Sequence, residues 1–74
     1  MNIFYTNETL YINIDSPIDE YLIKVLKKRL YNIINDYDID NIVLTVIKEF
    51  KTSPLILELV NEYHNKFHGK LVVR

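Results

Sequence analysis

The sequence predicts a small α/β domain with a mixed four-stranded sheet and elements in the order β-β-α-β-α-β. Three observations predict it. Two short N-terminal runs are rich in β-branched and aromatic residues. Two longer stretches carry apolar residues at spacings of three and four, the period of an amphipathic helix. Between those stretches lies an almost unbroken apolar run. With one Gly and two Pro in 74 residues, little chain is left for irregular connections.

The elements follow in order. Ile3-Phe4-Tyr5 and Leu10-Tyr11-Ile12-Asn13-Ile14 form a hairpin, with Leu10, Ile12 and Ile14 on one face. Thr6-Asn7-Glu8-Thr9 is the turn, where Asn7 tolerates positive φ. Asp15-Ser16-Pro17 ends the second strand. Ser16 is then expected to cap a helix whose first residue is Pro17, with Asp19 and Glu20 in its first turn. Ile18, Leu22, Leu26, Leu30, Ile33 and Tyr37 make its apolar stripe, widened by Ile23 and Ile34. Asp36 to Asn41 is the exit turn. Ile42 to Ile47 reads as a central strand buried on both faces, as in parallel pairing. Lys48 to Thr52 is a polar loop holding Phe50. Ser53 caps a second helix that opens on Pro54 and buries Leu55, Ile56, Leu59, Val60, Tyr63 and Phe67. Gly69 closes it, and Leu71-Val72-Val73 is the last strand. Each β-α-β passage is expected to be a right-handed crossover, so the last three strands are parallel and the first is antiparallel to the second.

Composition narrows the function classes. The whole chain, 1–74, is one small domain. No Cys is present, which removes disulfides and thiolate metal sites. Nine Lys+Arg against ten Asp+Glu give a net charge of −1, so broad electrostatic binding of nucleic acid or anionic membrane is not expected. No apolar run reaches the ~20 residues that span a bilayer, and Met1-Asn2-Ile3-Phe4 lacks a basic leader, so a cytoplasmic location is expected. Heavy use of Ile, Asn, Lys, Tyr and Leu suggests AT-rich coding, as in a low-GC bacterium or one of its phages.

The hairpin Ile3 to Ile14, the turn Ile18-Asp19, the long helix, the strand Asn41 to Val46 and the closing Gly69-Lys70-Leu71-Val72-Val73 together resemble the STAS domain. That is the fold of bacterial anti-sigma-factor antagonists and of sulfate-transporter tails. The likeness runs over essentially the whole chain and about two-thirds of a family domain. It implies a regulatory module that binds a protein partner and is switched by phosphorylation of a serine at a helix start. Phe50 matches the family's loop residue, and Ser53 matches the phosphorylated serine. Thr52 stands where the family has Asp and Leu55 where it has Gly, so the phosphorylation motif is degenerate.

Each candidate chemical group has a plainer reading beside it. His64 and His68 are four apart, a chelating spacing, but no third ligand accompanies them, and solvated surface histidines account for both. Asp36, Asp38 and Asp40 alternate like the opening of a calcium loop. Asn41 and Ile47 stand where its Gly and Glu belong, so they read as loop formers. Lys24, Lys27, Lys28 and Arg29 could touch phosphates. The plainer reading is a solvated helix face in which Glu20 pairs with Lys24. Ser53 has no base in reach for nucleophilic work and serves as a cap or a phosphate acceptor. No catalytic residue, cofactor site or metal site is assigned.

Two helices are too few to cover both faces of the sheet. The side carrying Tyr5, Tyr11, Val43 and Ile47 is expected to remain apolar and uncovered, and Leu57 falls off the second helix's stripe. These five residues are the candidate interface. The expected function is a non-enzymatic protein-interaction module that self-associates, most simply as a homodimer. Alternatives are a small phage or viral protein that binds a host factor, or a weak nucleic-acid binder through Lys24 to Arg29.

Overall fold

The computed structural model describes residues 1–74 and has the expected order of elements. Strand β1 spans Asn2–Thr6 and β2 spans Thr9–Asn13. They pair antiparallel with Thr6 opposite Thr9, so only Asn7 and Glu8 lie in the loop. Both have positive φ, 51° and 62°. Two such residues turn the chain with the twist that a two-residue hairpin needs.

Helix α1 spans Glu20–Asp36 and starts later than Ser16-Pro17 suggested. Its cap is Asp19, whose Oδ1 accepts the Leu22 amide at 2.7 Å. A carboxylate at this position satisfies an amide that would otherwise lack a partner, and it complements the helix dipole. The three residues before it stay outside the helix. Ile18 is 7% exposed and enters the core from this extended link. At the other end Tyr37 is the C-cap and is 66% exposed, so it does not extend the apolar stripe. Ile39 reaches the core in its place, at 7% exposure.

Strand β3 spans Asn41–Thr45 and is followed by one 3-10 turn at Lys48–Phe50. Helix α2 spans Pro54–Lys66, with Ser53 at the cap position and Pro54 first, as expected. Strand β4 spans Lys70–Val73. The sheet order is β1-β2-β3-β4, with β2, β3 and β4 mutually parallel.

The core is one cluster of 15 apolar residues with no polar member. Leu10, Ile12 and Ile14 from β2 and its exit, Ile42, Leu44 and Val46 from β3 and its exit, and Leu71 from β4 form its sheet side. Ile23, Leu26 and Leu30 from α1 and Ile56, Leu59 and Tyr63 from α2 form its helix side. Both helices therefore lie on one face of the sheet, and the molecule has two layers. The expectation that β3 is buried on both faces is corrected accordingly. Ile42 and Leu44 are buried, whereas Val43 is half-buried and Thr45 is exposed. An unbroken apolar run arises here because the uncovered face also carries Val43.

The helices are joined at their outer seam. Glu62 on α2 accepts from Lys27 of α1 at 2.6 Å and from Lys66, one turn along, at 3.0 Å. These two ion pairs stand in place of the expected Glu20–Lys24 pair, and the first of them ties Lys27 of α1 to α2. Tyr31 packs on Phe67 with ring centroids 5.3 Å apart, and Phe67 packs on Tyr63 at 5.4 Å. Lys66 Nζ lies 5.5 Å from the Tyr31 ring centroid.

Candidate functional site

The pleat sends alternate residues of each strand to the face away from the helices. Register then decides which of them meet. Phe4 lies opposite Tyr11, Tyr11 opposite Val43, and Val43 opposite Val72. One apolar row therefore crosses all four strands. The Phe4 and Tyr11 rings stack with centroids 5.1 Å apart and planes 13° apart. Phe4 and Val72 are each 47% exposed, while Tyr11 and Val43 are half-buried. Polar rows flank this one on either side. Thr6, Thr9, Asn41 and Lys70 form one; Asn2, Asn13 and Thr45 form the other. No acidic side chain lies in either row; Lys70 charges the first, and Arg74, which follows β4 and bonds on either side of Thr45, adds a positive charge at the end of the second.

Of the five residues expected at an interface, Tyr11 and Val43 occupy this row. Tyr5 does not, and its expected placement is corrected. It pairs with Leu10 and so lies on the helix-covered side of the sheet. Ile47 is half-buried beyond the end of β3, at the start of the 3-10 turn. Leu57 is 52% exposed on α2, in the helix layer. Phe4 and Val72 complete the row and were missed. The signal for Phe4 was present, since a two-residue turn at Asn7-Glu8 places Thr6 opposite Thr9 and hence Phe4 opposite Tyr11.

A second apolar feature lies on the helix side, where β1 overhangs α1. Ile3, Tyr5 and Leu10 from the hairpin face Ile33, Tyr37 and Ile39 across an open groove of about 360 Å³, with Asp38 at its rim. Tyr5 is 52% exposed within it.

The remaining candidates are dispersed. Ser53 is half-buried, and its hydroxyl makes no capping hydrogen bond. The backbone does the work there: the Ser53 amide donates to the Phe50 carbonyl at 3.1 Å, and its carbonyl accepts from Leu57 at 3.0 Å. His64 is exposed on α2 with its ring edge toward Tyr63, and His68 lies past the helix end, so the two do not share a helical face. Asp36 ends α1, Asp38 borders the groove, and the Asp40 carbonyl accepts the Lys70 amide at 2.9 Å. No three His, Asp or Glu side chains gather in a metal-holding arrangement. No helix is long and apolar enough to cross a membrane.

Titratable groups with shifted pKa sit at the helix seam and behind β4, away from the open face. Hydrogen bonds from Lys27 and then Lys66 hold the Glu62 carboxyl down to about 2. Burial, followed by the nearby Glu62 carboxylate, pushes Tyr31 up to about 12, although its hydroxyl has no hydrogen-bond partner of good geometry. Burial and then the charge of Asp40 raise Tyr63, whose buried hydroxyl is also unpartnered. These groups are locked in one protonation state at neutral pH, and none faces a cavity.

Comparison with protein-family models, with curated proteins and with solved structures gives no match.

Proposed function

We propose that this chain is a non-enzymatic protein-interaction module, of the regulatory kind that STAS domains represent, and that it acts in the cytoplasm as a two-fold homodimer. The observation that carries this reading is the uncovered row Phe4, Tyr11, Val43 and Val72. Four strands ~4.8 Å apart and five residues of ~3.3 Å each make a face of about 19 by 17 Å, or roughly 300 Å². Two copies face to face bury about twice that. If half the area is apolar, the gain is on the order of 8 kcal/mol gross, against association costs of 4–15 kcal/mol. Such an interface is below the ~1,200 Å² of stable complexes, so the dimer is weak and exchangeable, as suits a regulatory contact. The element order supports the likeness to STAS, as does a Ser53 hydroxyl not committed to capping. A phosphate there would meet the positive end of α2.

Sedimentation equilibrium from ~10 µM to ~1 mM tests the reading. The parent is expected to pass from monomer to dimer across this range. The double variant Val43→Lys with Val72→Lys is expected to stay monomeric with an unchanged far-ultraviolet circular dichroism spectrum. A parent that remains monomeric at millimolar concentration refutes it. Mass spectrometry after incubation with an anti-sigma-type kinase tests the switch, and an unmodified Ser53 removes that element.

A further inference from the structure

The two edges of the sheet differ. Strand β4 carries Lys70 at its start and is followed by Arg74, charges that discourage another strand from pairing with it. Strand β1, Asn2-Ile3-Phe4-Tyr5-Thr6, has no charge and no proline along its whole length. Its outer edge is therefore an unguarded template. The hairpin geometry says which groups it offers. In a two-residue hairpin the residues beside the turn exchange hydrogen bonds, so Thr6, Phe4 and Asn2 direct their amides and carbonyls toward β2. The amides and carbonyls of Ile3 and Tyr5 point outward. Beneath that edge lies the groove formed with Ile33, Tyr37 and Ile39 of α1 and its exit.

We propose that the β1 edge is a second, self-complementary surface that pairs antiparallel with β1 of another copy and joins two sheets into one of eight strands. The strand fits itself in a single register. Centring the two-fold axis on Phe4 sets Asn2 opposite Thr6 of the other copy, Ile3 opposite Tyr5, and Phe4 opposite Phe4, so all five residues pair. In that register the outward groups are the ones that meet. Ile3 and the other copy's Tyr5 exchange two hydrogen bonds, the symmetry mate supplies two more, and Phe4 falls in the close, non-hydrogen-bonded position. The stacked pair of Phe4 and Tyr11 becomes a run of four aromatic rings across the seam. On the helix side, Ile3 and Tyr5 of each copy border the other's groove, and the two grooves become one enclosed apolar channel beneath the seam. The occupant is another copy because the strand supplies its own polar, apolar and backbone complement without a mismatch. This contact is separate from the open face and stands or falls independently of it.

Amide hydrogen exchange at ~10 µM and ~1 mM provides the test. The amides of Ile3 and Tyr5 are unbonded in the monomer and are expected to gain about tenfold protection at the higher concentration. Tyr5→Pro deletes one outward amide and leaves those bonded to β2 in place, a substitution an edge strand accepts. It is expected to abolish the gain at Ile3. Ile3→Lys, which retains every amide, is expected to do the same by placing like charges across the seam. The double variant at Val43 and Val72 is expected to keep it, which separates this contact from the face dimer. Ile3 and Tyr5 amides that stay unprotected at ~1 mM overturn the proposal, as does a gain that survives both edge variants or disappears with the face variant. Protection that appears only with an added Thr-Val repeat peptide overturns the second copy as occupant.

Discussion

Gly69→Ala is expected to cost about 2–4 kcal/mol of stability, shared between an unfavourable backbone conformation and the crowding of one carbonyl and one buried hydroxyl. Gly69 has φ +114°, a conformation that L side chains rarely adopt. Forcing an L residue there costs roughly 1–2 kcal/mol before any contact is counted. The added Cβ would lie 2.5 Å from the Asp40 carbonyl oxygen and 3.2 Å from the Tyr63 hydroxyl. That carbonyl accepts the Lys70 amide at 2.9 Å, which is the hydrogen bond that starts β4 beside β3. It cannot retreat without lengthening this bond, worth about 1 kcal/mol. The Tyr63 ring cannot retreat either, because it is fully buried. Set against a stability of ~5 kcal/mol for a domain of this size, the loss lowers the folded-to-unfolded ratio by about 30- to 1,000-fold. It brings the melting midpoint down by roughly 10–25 °C. Urea unfolding followed by circular dichroism measures it directly, with the midpoint falling and the slope unchanged. A Gly69→Ala midpoint matching the parent's, within about 0.5 kcal/mol, would refute the reasoning.

Two further outcomes follow from the polar groups inside and between the helices. Tyr63→Phe removes a buried hydroxyl that has no partner, so it is expected to be neutral or stabilising by up to about 1 kcal/mol. A loss above ~1 kcal/mol in thermal unfolding would show that the hydroxyl holds a bond. Glu62 sits at about 2 when folded against its ordinary 4.5, so its contribution is full above pH 4.5 and is lost as pH falls through 2. Because its side chain is 27% exposed at the surface, that contribution is discounted to on the order of 1 kcal/mol and weakens with salt. Glu62→Gln is therefore expected to lie below the parent in a stability-versus-pH series above pH 4.5 and to converge with it near pH 2. Parallel curves over the whole range would exclude the linkage.

Where local chemistry decides an element, the sequence was enough to place it. Pro54 after Ser53 fixes the start of α2, and Gly69 before Leu71 fixes the turn into β4, because a missing amide and a positive φ act on the chain within a turn; the end of α2 falls earlier than Gly69 suggested, at Lys66 with Phe67 as its C-cap. The start of α1 was less legible. Ser16-Pro17 reads as the cap with Asp19 inside the first turn, whereas Asp19 is itself the cap, because Ile18 reaches the core from an extended link, which is a tertiary effect. The burial of β3 on one face only was illegible for a related reason. An apolar side chain next to a neighbouring strand and one beneath a helix look alike in sequence. The candidate face was half legible. Tyr11 and Val43 followed from alternation alone. Phe4 and Val72 required register, and carrying the hairpin register through would also have moved Tyr5 to the other side. Tyr31 is not among the residues of the α1 stripe. It fills the gap between the helices, which no one-helix pattern reveals.

The course of the strands also fixes how the chain can be re-cut. Asn2 lies beside Asn13 at the far end of β2, and Arg74 continues the ladder beyond Val73, where its amide bonds to the Leu44 carbonyl at 2.8 Å. Residues 1 and 74 thus sit on the same rim, three strand spacings or about 14 Å apart. A bridge of about six flexible residues spans that gap. A circular permutant opened between Asn7 and Glu8, with those residues joined, should keep every layer in place while leaving β1 to find its edge from the opposite direction along the chain.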